Sequence, residues 1–356
     1  MFMAVALSLS GSTPAQAQNN VRKELRQVAA ALTDEVKIQG GDSISVGHFT
    51  GRRVLKSGSG PGFALILQQE LEACGMKISP TSMFEAKGDY QEQLDEETKL
   101  LAISLTTRLL KKNKALKEWE SQIHGETEAA TAFGLTIGLE PTASLPERSK
   151  EIEKGIKEPP VPYIKDAFVS HAESSPFGMT IVVKQPDGSF APVKAELKDN
   201  LAFTPLKRDD KYRVRLFNRA EYAVGVTLTI DGLNVFVFHE FRTPDGKPLP
   251  VFPELVIEPK SQVDIPGWLI NPKRIDPFQL VSYPDAATLP LADDPGVITA
   301  RFVPCWKKDE KPPLIVPPGR RSMSRTGRGS PEAAKLELVE RVFGDFLCSI
   351  SVRYQR

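Results

Sequence analysis

Between Tyr222 and Ile230 the chain keeps a strict two-residue period, with Tyr222, Val224, Val226, Leu228 and Ile230 in phase. Asp231-Gly232 then interrupts a pattern that Val235 and Val237 resume. A period of two requires a pleated strand with one buried face, and an Asp-Gly pair supplies the positive φ angles of a tight turn. Residues 211–239 are therefore predicted to fold around a β-hairpin. Further strand-like runs occur at Thr180–Lys184, Tyr212–Asn218, Val235–Phe241, Glu254–Ile257, Phe278–Val281, Val297–Val303 and Phe346–Tyr354. Pro186-Asp187-Gly188 and Pro244-Asp245-Gly246 punctuate them, and helical periodicity is nearly missing after Ala167. Residues 166–356 are accordingly expected to form an antiparallel β-sandwich domain.

A chain of 356 residues exceeds the size at which one core stops growing, so a second domain is expected before the sandwich. Val21, Leu25, Val28, Leu32 and Val36 share one face of a helix over residues 20–37. Ser43–Phe49 has strand character, and Pro61 opens a helix that Cys74-Gly75 closes, with proline near the start and glycine past the end. Met76–Ser79, Leu101–Leu109 and Trp119–Ile123 supply further strands, and Glu126–Phe133 a short helix. These elements make residues 18–140 a small α/β domain with helices packed on a sheet of about four strands. Residues 141–165 carry five prolines and show no apolar face, which predicts a linker or extended strap. The fold class expected for the whole is α+β.

Lys and Arg total 46 against 45 Asp and Glu, so no global field draws the chain to nucleic acid, and charged contacts have to be local. Residues 1–17 join an apolar run from Phe2 to Leu9 to small polar residues and Ala15-Gln16-Ala17, the pattern of a secretory signal peptide cleaved before Gln18, although no Lys or Arg precedes the run. The expected location is periplasmic or secreted. No segment has the roughly 20 consecutive apolar residues of a membrane helix, so the chain is not expected to span a membrane. Nothing in the sequence sets an oligomeric state.

Two segments stand out as candidate sites. Gly51–Gly62 lies between a strand and a helix, where backbone amides with Arg52, Arg53 and Lys56 would cradle a phosphate. Its glycines at 51, 58, 60 and 62 match neither the P-loop nor the dinucleotide fingerprint, so a flexible connection competes with that reading. Residues 307–328 gather Lys307, Lys308, Lys311, Arg320, Arg321, Arg325 and Arg328 against Asp309 and Glu310 alone, which predicts an exposed basic loop able to touch an anionic surface or simply a solvated one. Cys305 and Cys348 sit in strand-like segments and either pair as a disulfide or remain buried thiols; Cys74 stands apart. His48, His124, His171 and His239 share no metal-ligand spacing, and no cofactor is expected. His239 beside Glu240 is an acid–base pair or, since neighbours in a strand face opposite ways, the rim of a sheet. Phe236, Phe238, Phe241, Trp268 and Phe302 are expected in the core.

The run from Val21 through Ser43-Ile-Ser-Val-Gly-His-Phe-Thr-Gly51 to Gly60-Pro61-Gly62 resembles the small α/β domain of bacterial envelope proteins in the curli-channel, flagellar outer-membrane and penicillin-binding-protein-activator group. Tyr212–Leu216, Val226–Gly232, Ile265–Trp268 and Ser349–Tyr354 resemble a β-domain found beside it in uncharacterised exported bacterial proteins. Those relatives act by binding partners, so the resemblance implies no catalytic residue. It implies a partner in the cell envelope, an envelope protein or, through the basic residues 307–328, an anionic envelope polymer, and the missing lipobox cysteine departs from the lipoprotein members. The expected function is non-enzymatic binding in the cell envelope; the alternative is a nucleotide-binding or hydrolytic enzyme built on residues 51–62.

Overall fold

The structure is a computed structural model and describes residues 2–8, 15–51, 55, 58–242, 253–280, 296–315 and 335–355. It is 19% helix and 46% strand, with four helices among the described residues. The chain opens with β1 (Phe2–Ser8) and α1 (Ala15–Ile38), so the Ala15-Gln16-Ala17 motif falls in the first turn of α1. There follow β2 (Ser43–Thr50), α2 (Gly60–Ala73), β3 (Lys77–Ile78), β4 (Phe84–Leu94), β5 (Leu101–Lys111), β6 (Lys114–His124), α3 (Glu126–Ala132), β7 (Ile137–Gly138) and α4 (Leu145–Lys157). Strands β2 to β6 form a five-stranded sheet in the order β3-β2-β4-β5-β6, in which β2 runs parallel to β3 and β4 and the rest is antiparallel. The predicted apolar face of α1 is buried against this unit, with Leu25, Leu32 and Val36 fully inside. Arg26 on α1 reaches the buried Glu70 of α2 at 2.7 Å and locks the two helices together.

Two elements here depart from the sequence expectation. β4 was not foreseen, because its buried positions are Phe84, Ala86, Gly88, Tyr90 and Glu92, a period of two hidden by small and charged residues. Residues 145–157, expected as linker, are helix α4. Ser144 caps it, with Glu147 accepting from the Ser144 amide at 2.8 Å, and Pro146 sits in its first turn. Its inner face combines Ile152 and Ile156 with buried Arg148 and Ser149. Arg148 pairs with Glu126 at 2.6 Å and donates to the Phe346 carbonyl at 2.9 Å, so polar contacts replace part of the apolar stripe that a sequence reading looks for.

The remaining strands are β8 (Tyr163–Lys165), β9 (Phe168–Ser170), β10 (Phe177–Lys184), β11 (Phe190–Pro192), β12 (Glu196–Lys198), β13 (Leu201–Phe203), β14 (Lys211–Asn218), β15 (Val224–Ile230), β16 (Leu233–Asn234), β17 (Glu254–Ile257), β18 (Ser261–Ile265), β19 (Gly267–Asn271), β20 (Arg274–Gln279), β21 (Gly296–Trp306), β22 (Lys335–Phe343) and β23 (Cys348–Tyr354). An eight-stranded sheet is centred on β10 and β14, and a ten-stranded sheet runs β12-β13-β23-β21-β22-β1-β17-β15-β16 with β15 also joined to β21. One core cluster draws on both sheets: Met179, Ile181, Val214 and Leu216 from the first, Val226, Leu228, Ala300, Phe302 and Ile350 from the second. Phe177 and Phe302 stack across it with ring centroids 5.1 Å apart. Pairing in these sheets is antiparallel except for β1 with β22 and the Phe203↔Arg353 pair of β13 with β23, a departure from the wholly antiparallel expectation.

The Asp-Gly turn forms as predicted, with φ of 52° at Asp231 and 83° at Gly232. Its second strand does not. Only Leu233 and Asn234 pair back on β15, because the Asn234 side chain accepts the Phe236 amide at 2.9 Å and bends the chain into turns. β15 finds its long partner in β21 instead, from Val224↔Pro304 to Ile230↔Ile298.

On the face of β15 and β21 away from the large core, Arg301 meets Glu254 at 2.6 Å, with side chains 2% and 3% exposed, and the Thr227 hydroxyl donates to Glu254 at 2.8 Å. Burial pushes the Glu254 carboxyl pKa above its ordinary value against the pull of Arg301. Truncating one partner of such a pair strands the other charge in the interior. Glu254→Ala is expected to cost about 3–5 kcal/mol, seen as a lowered urea midpoint with an unchanged slope, and Glu254→Gln distinctly less.

Candidate functional site

The glycine-rich segment lies at the seam between the five-stranded sheet and the β15–β16 turn. Of its basic residues, Arg52, Arg53 and Lys56 lie outside the described residues. Three amides at the start of α2 are engaged: Gly62 N donates to the Asp231 carbonyl at 3.0 Å, Ser59 N to that of Ala132 at 2.8 Å, and Phe63 N to that of Ser59 at 2.9 Å. A Cβ on Gly62 would lie 2.8 Å from the carbonyl carbon of Gly232. The glycines thus let the start of α2 press against the hairpin turn. Asp231 closes the seam from the other side, accepting from Val297 N at 2.8 Å and from the Tyr354 hydroxyl at 2.7 Å. Arg353 lies behind it, donating to the carbonyls of Leu55 and Gly134, each at 2.9 Å.

The other expected residues are scattered. Lys307, Lys308 and Lys311 are exposed, and Lys307 pairs with Glu310 at 3.4 Å, while Arg320, Arg321, Arg325 and Arg328 lie outside the described residues. Cys305 and Cys348 are free thiols, the buried-thiol reading of the two left open by the sequence. β21 and β23 are indeed neighbours, but Cys348 pairs with Phe302, an odd number of residues from Cys305, so the two side chains face opposite sides of the sheet and enter different cores. Burial pushes the Cys305 thiol up to about 12 and Cys348 higher still. His239 is no acid–base partner of Glu240: its Nδ1 accepts the Phe241 amide at 3.2 Å, whereas Glu240 accepts from Asn271 at 2.9 Å. Phe236, Phe241 and Phe302 are core as expected, but Phe238 is exposed at 45% and packs edge-on against the partly buried Trp268. Among the described residues no group of three or more His, Cys, Asp or Glu is placed to hold a metal ion, and no helix is long and apolar enough to cross a membrane.

A further polar surface lies at the end of the five-stranded sheet that carries the β5–β6 turn. An open cleft of about 410 Å³ is lined by Ser45, Val46, Pro80, Ser82, Met83, Glu85, Lys112 and Asn113. Lys112 and Asn113 form the β5–β6 turn with φ of 50° and 65°, and the Lys112 amide is fixed to the Met83 carbonyl at 2.8 Å. From that turn β6 runs out as an edge strand, paired with β5 alone among the described strands and exposed over Lys114–Glu118. Arg108 on β5 stiffens the hairpin by bridging Asp89 and Glu118 at 2.5 and 2.6 Å. In the sequence the basic run Lys111, Lys112, Lys114 marks the turn, and of these Lys112 lines the cleft.

Comparison of the chain with protein-family models, with curated proteins and with solved structures finds no match.

Two outcomes follow from the seam and its surroundings. Gly62→Ala has to push the β15–β16 turn away and is expected to lower stability by about 1–3 kcal/mol in chemical denaturation. His171, whose ring lies against Gly138, is held neutral by burial with its pKa lowered from 6.5 to about 4. Because the unfolded chain binds the proton more tightly, this stability is complete above pH 6.5 and is lost as pH falls toward 4. The loss is expected to approach about 3 kcal/mol and to be largely removed in His171→Gln, as read from melting temperatures across that range.

Proposed function

We propose that the chain is an exported, non-catalytic binding protein of the bacterial cell envelope. In this reading residues 1–17 are a signal peptide, an α/β module carries the five-stranded sheet and extends through α4, and a β-sandwich module follows. Its partner is a polypeptide or anionic polymer of the envelope. The observation that supports it is the open polar cleft at Ser45, Ser82, Glu85, Lys112 and Asn113, joined through the β5–β6 turn to an exposed edge strand. A shallow site of hydroxyls, one carboxylate and one ammonium, beside the outer edge of β6 that no other described strand covers, suits recognition of an extended polar chain. The buried arginines Arg301, Arg148 and Arg353 are spent on joining strands, helices and loops, through Glu254, Glu126 and the carbonyls of Leu55 and Gly134. The amides of Ser59, Gly62 and Phe63 around the start of α2 are taken by the chain itself, which weighs against the nucleotide alternative.

The test uses purified protein as bait in an envelope fraction. A partner retained by the intact protein is expected to be lost from the surface variant Met83→Asp/Lys112→Glu and kept, with weaker salt-dependent binding, when residues 307–328 are removed. Fractionation is expected to recover a chain beginning at Gln18 outside the cytoplasm. Recovery of an uncleaved cytoplasmic chain, or retention unaffected by the cleft substitutions, would count against the proposal.

A further inference from the structure

β1 closes a ring. β15 is hydrogen-bonded to β17 on one side and β21 on the other, β21 passes to β22 at Cys305↔Phe343 and Trp306↔Val342, and β22 and β17 are joined through β1. β1 runs parallel to β22 from Phe2↔Lys335 to Ser8↔Arg341 and antiparallel to β17 from Ala4↔Val256 to Ala6↔Glu254. The ring surrounds its own small core of Val256, Val303, Cys305 and Phe343, with Ala223 and Val339 against it. Glu254 and Arg301 lie two residues from Val256 and Val303 on the same strands, so the buried ion pair occupies the same interior. The interior is therefore partly apolar and charged, and β1 is one of its walls.

The segment that supplies this wall is the apolar run expected to leave with the signal peptide. Once residues 1–17 are gone, β17 and β22 stand about 10 Å apart, twice the strand spacing, with facing rows of backbone donors and acceptors. We propose, resting on the export reading above, that in the mature chain this slot receives an extended apolar strand of a partner polypeptide, laid parallel to β22 and antiparallel to β17 in the register held by residues 2–8. Main-chain hydrogen bonds to both neighbours supply the affinity, and the shape of the interior sets the sequence preference. The positions opposite Val256 and Glu254 are alanines in the strand seated there, Ala4 and Ala6. An interior already holding Phe343, Val256 and the ion pair favours small residues at those two positions. Proline is excluded opposite Leu255, where Val5 sits, because the central strand of a three-stranded array has no free side for a missing N–H. Loss of the leader leaves the receptor open.

Cys305 reports on the slot, since it lies inside the ring at 2% exposure, while Cys348 lies in the large core as an internal control. In a Cys74→Ser background, maleimide labelling is compared between the full chain and residues 18–356. Cys305 labelling is expected to rise about tenfold or more in the shorter chain, with Cys348 still protected. A peptide of residues 1–9 with a lysine tail restores protection, and the same peptide with proline in place of Val5 does not. If residues 18–356 fail to fold, seen as joint labelling of Cys348, a protease site placed within residues 9–14 of the full chain and cut after folding releases β1 from a native molecule, and exchange with the fluorescent peptide is followed. Silent Cys305 with no exchange, or equal protection by the proline peptide, would overturn the receptor. Recovery from cells of a chain that keeps Met1 would instead overturn the export reading, a result read independently of the peptide measurements.

Discussion

Arg353, on the last strand, is 1% exposed and donates to the carbonyls of Leu55 and Gly134, and the seam between the two sides of the molecule is arranged around keeping that guanidinium satisfied. Taking a cation out of water costs several kcal/mol, and here the pKa falls to about 9 through burial, so the group stays charged at neutral pH and the charge has to be met by dipoles. The acceptors come from the loop before α2 and from the turn after α3. That requirement fixes the loop against the turn, and the glycines that permit the close approach follow from it. Asp231, with Val297 N and the Tyr354 hydroxyl as donors, completes the same joint from the hairpin side.

The same solution recurs at a distance from the seam. Arg148 ties α4 to α3 and to the Phe346 carbonyl, and Arg301 ties β21 to β17. Each is fully buried, each crosses between elements far apart in sequence, and each would be replaceable in volume by an apolar residue. A buried charge differs from an apolar filler in tolerating few arrangements of its neighbours, so these arginines specify one packing of a large β structure in which slipped registers would otherwise compete.

What could be seen in the sequence was what local chemistry decides. The period of two in β15, the φ-permissive Asp231-Gly232 turn, the apolar face of α1 and the proline and glycine around α2 all act within a few residues and are all present in the structure. What could not be seen depends on partners distant in the chain. β4 hides because Ala86 and Gly88 are buried beneath neighbours that the sequence does not announce. α4 hides because half its inner face is Arg148 and Ser149, buried only because Glu126, Leu101 and Phe346 meet them. The glycines of residues 58–62 have the composition of a phosphate cradle and of a tight joint alike, and it is Asp231 that separates the two. Cys305 and Cys348 lie on adjacent strands, and register alone keeps them apart.

The short strand β7 pairs with β23 at Ile137↔Ser349 and Gly138↔Cys348, and Phe346 joins the same buried cluster as α1 and α2. The earliest helices of the polypeptide are therefore fully covered only by residues about three hundred positions downstream. Contacts of that sequence separation carry a large loop-closure cost and close late in folding.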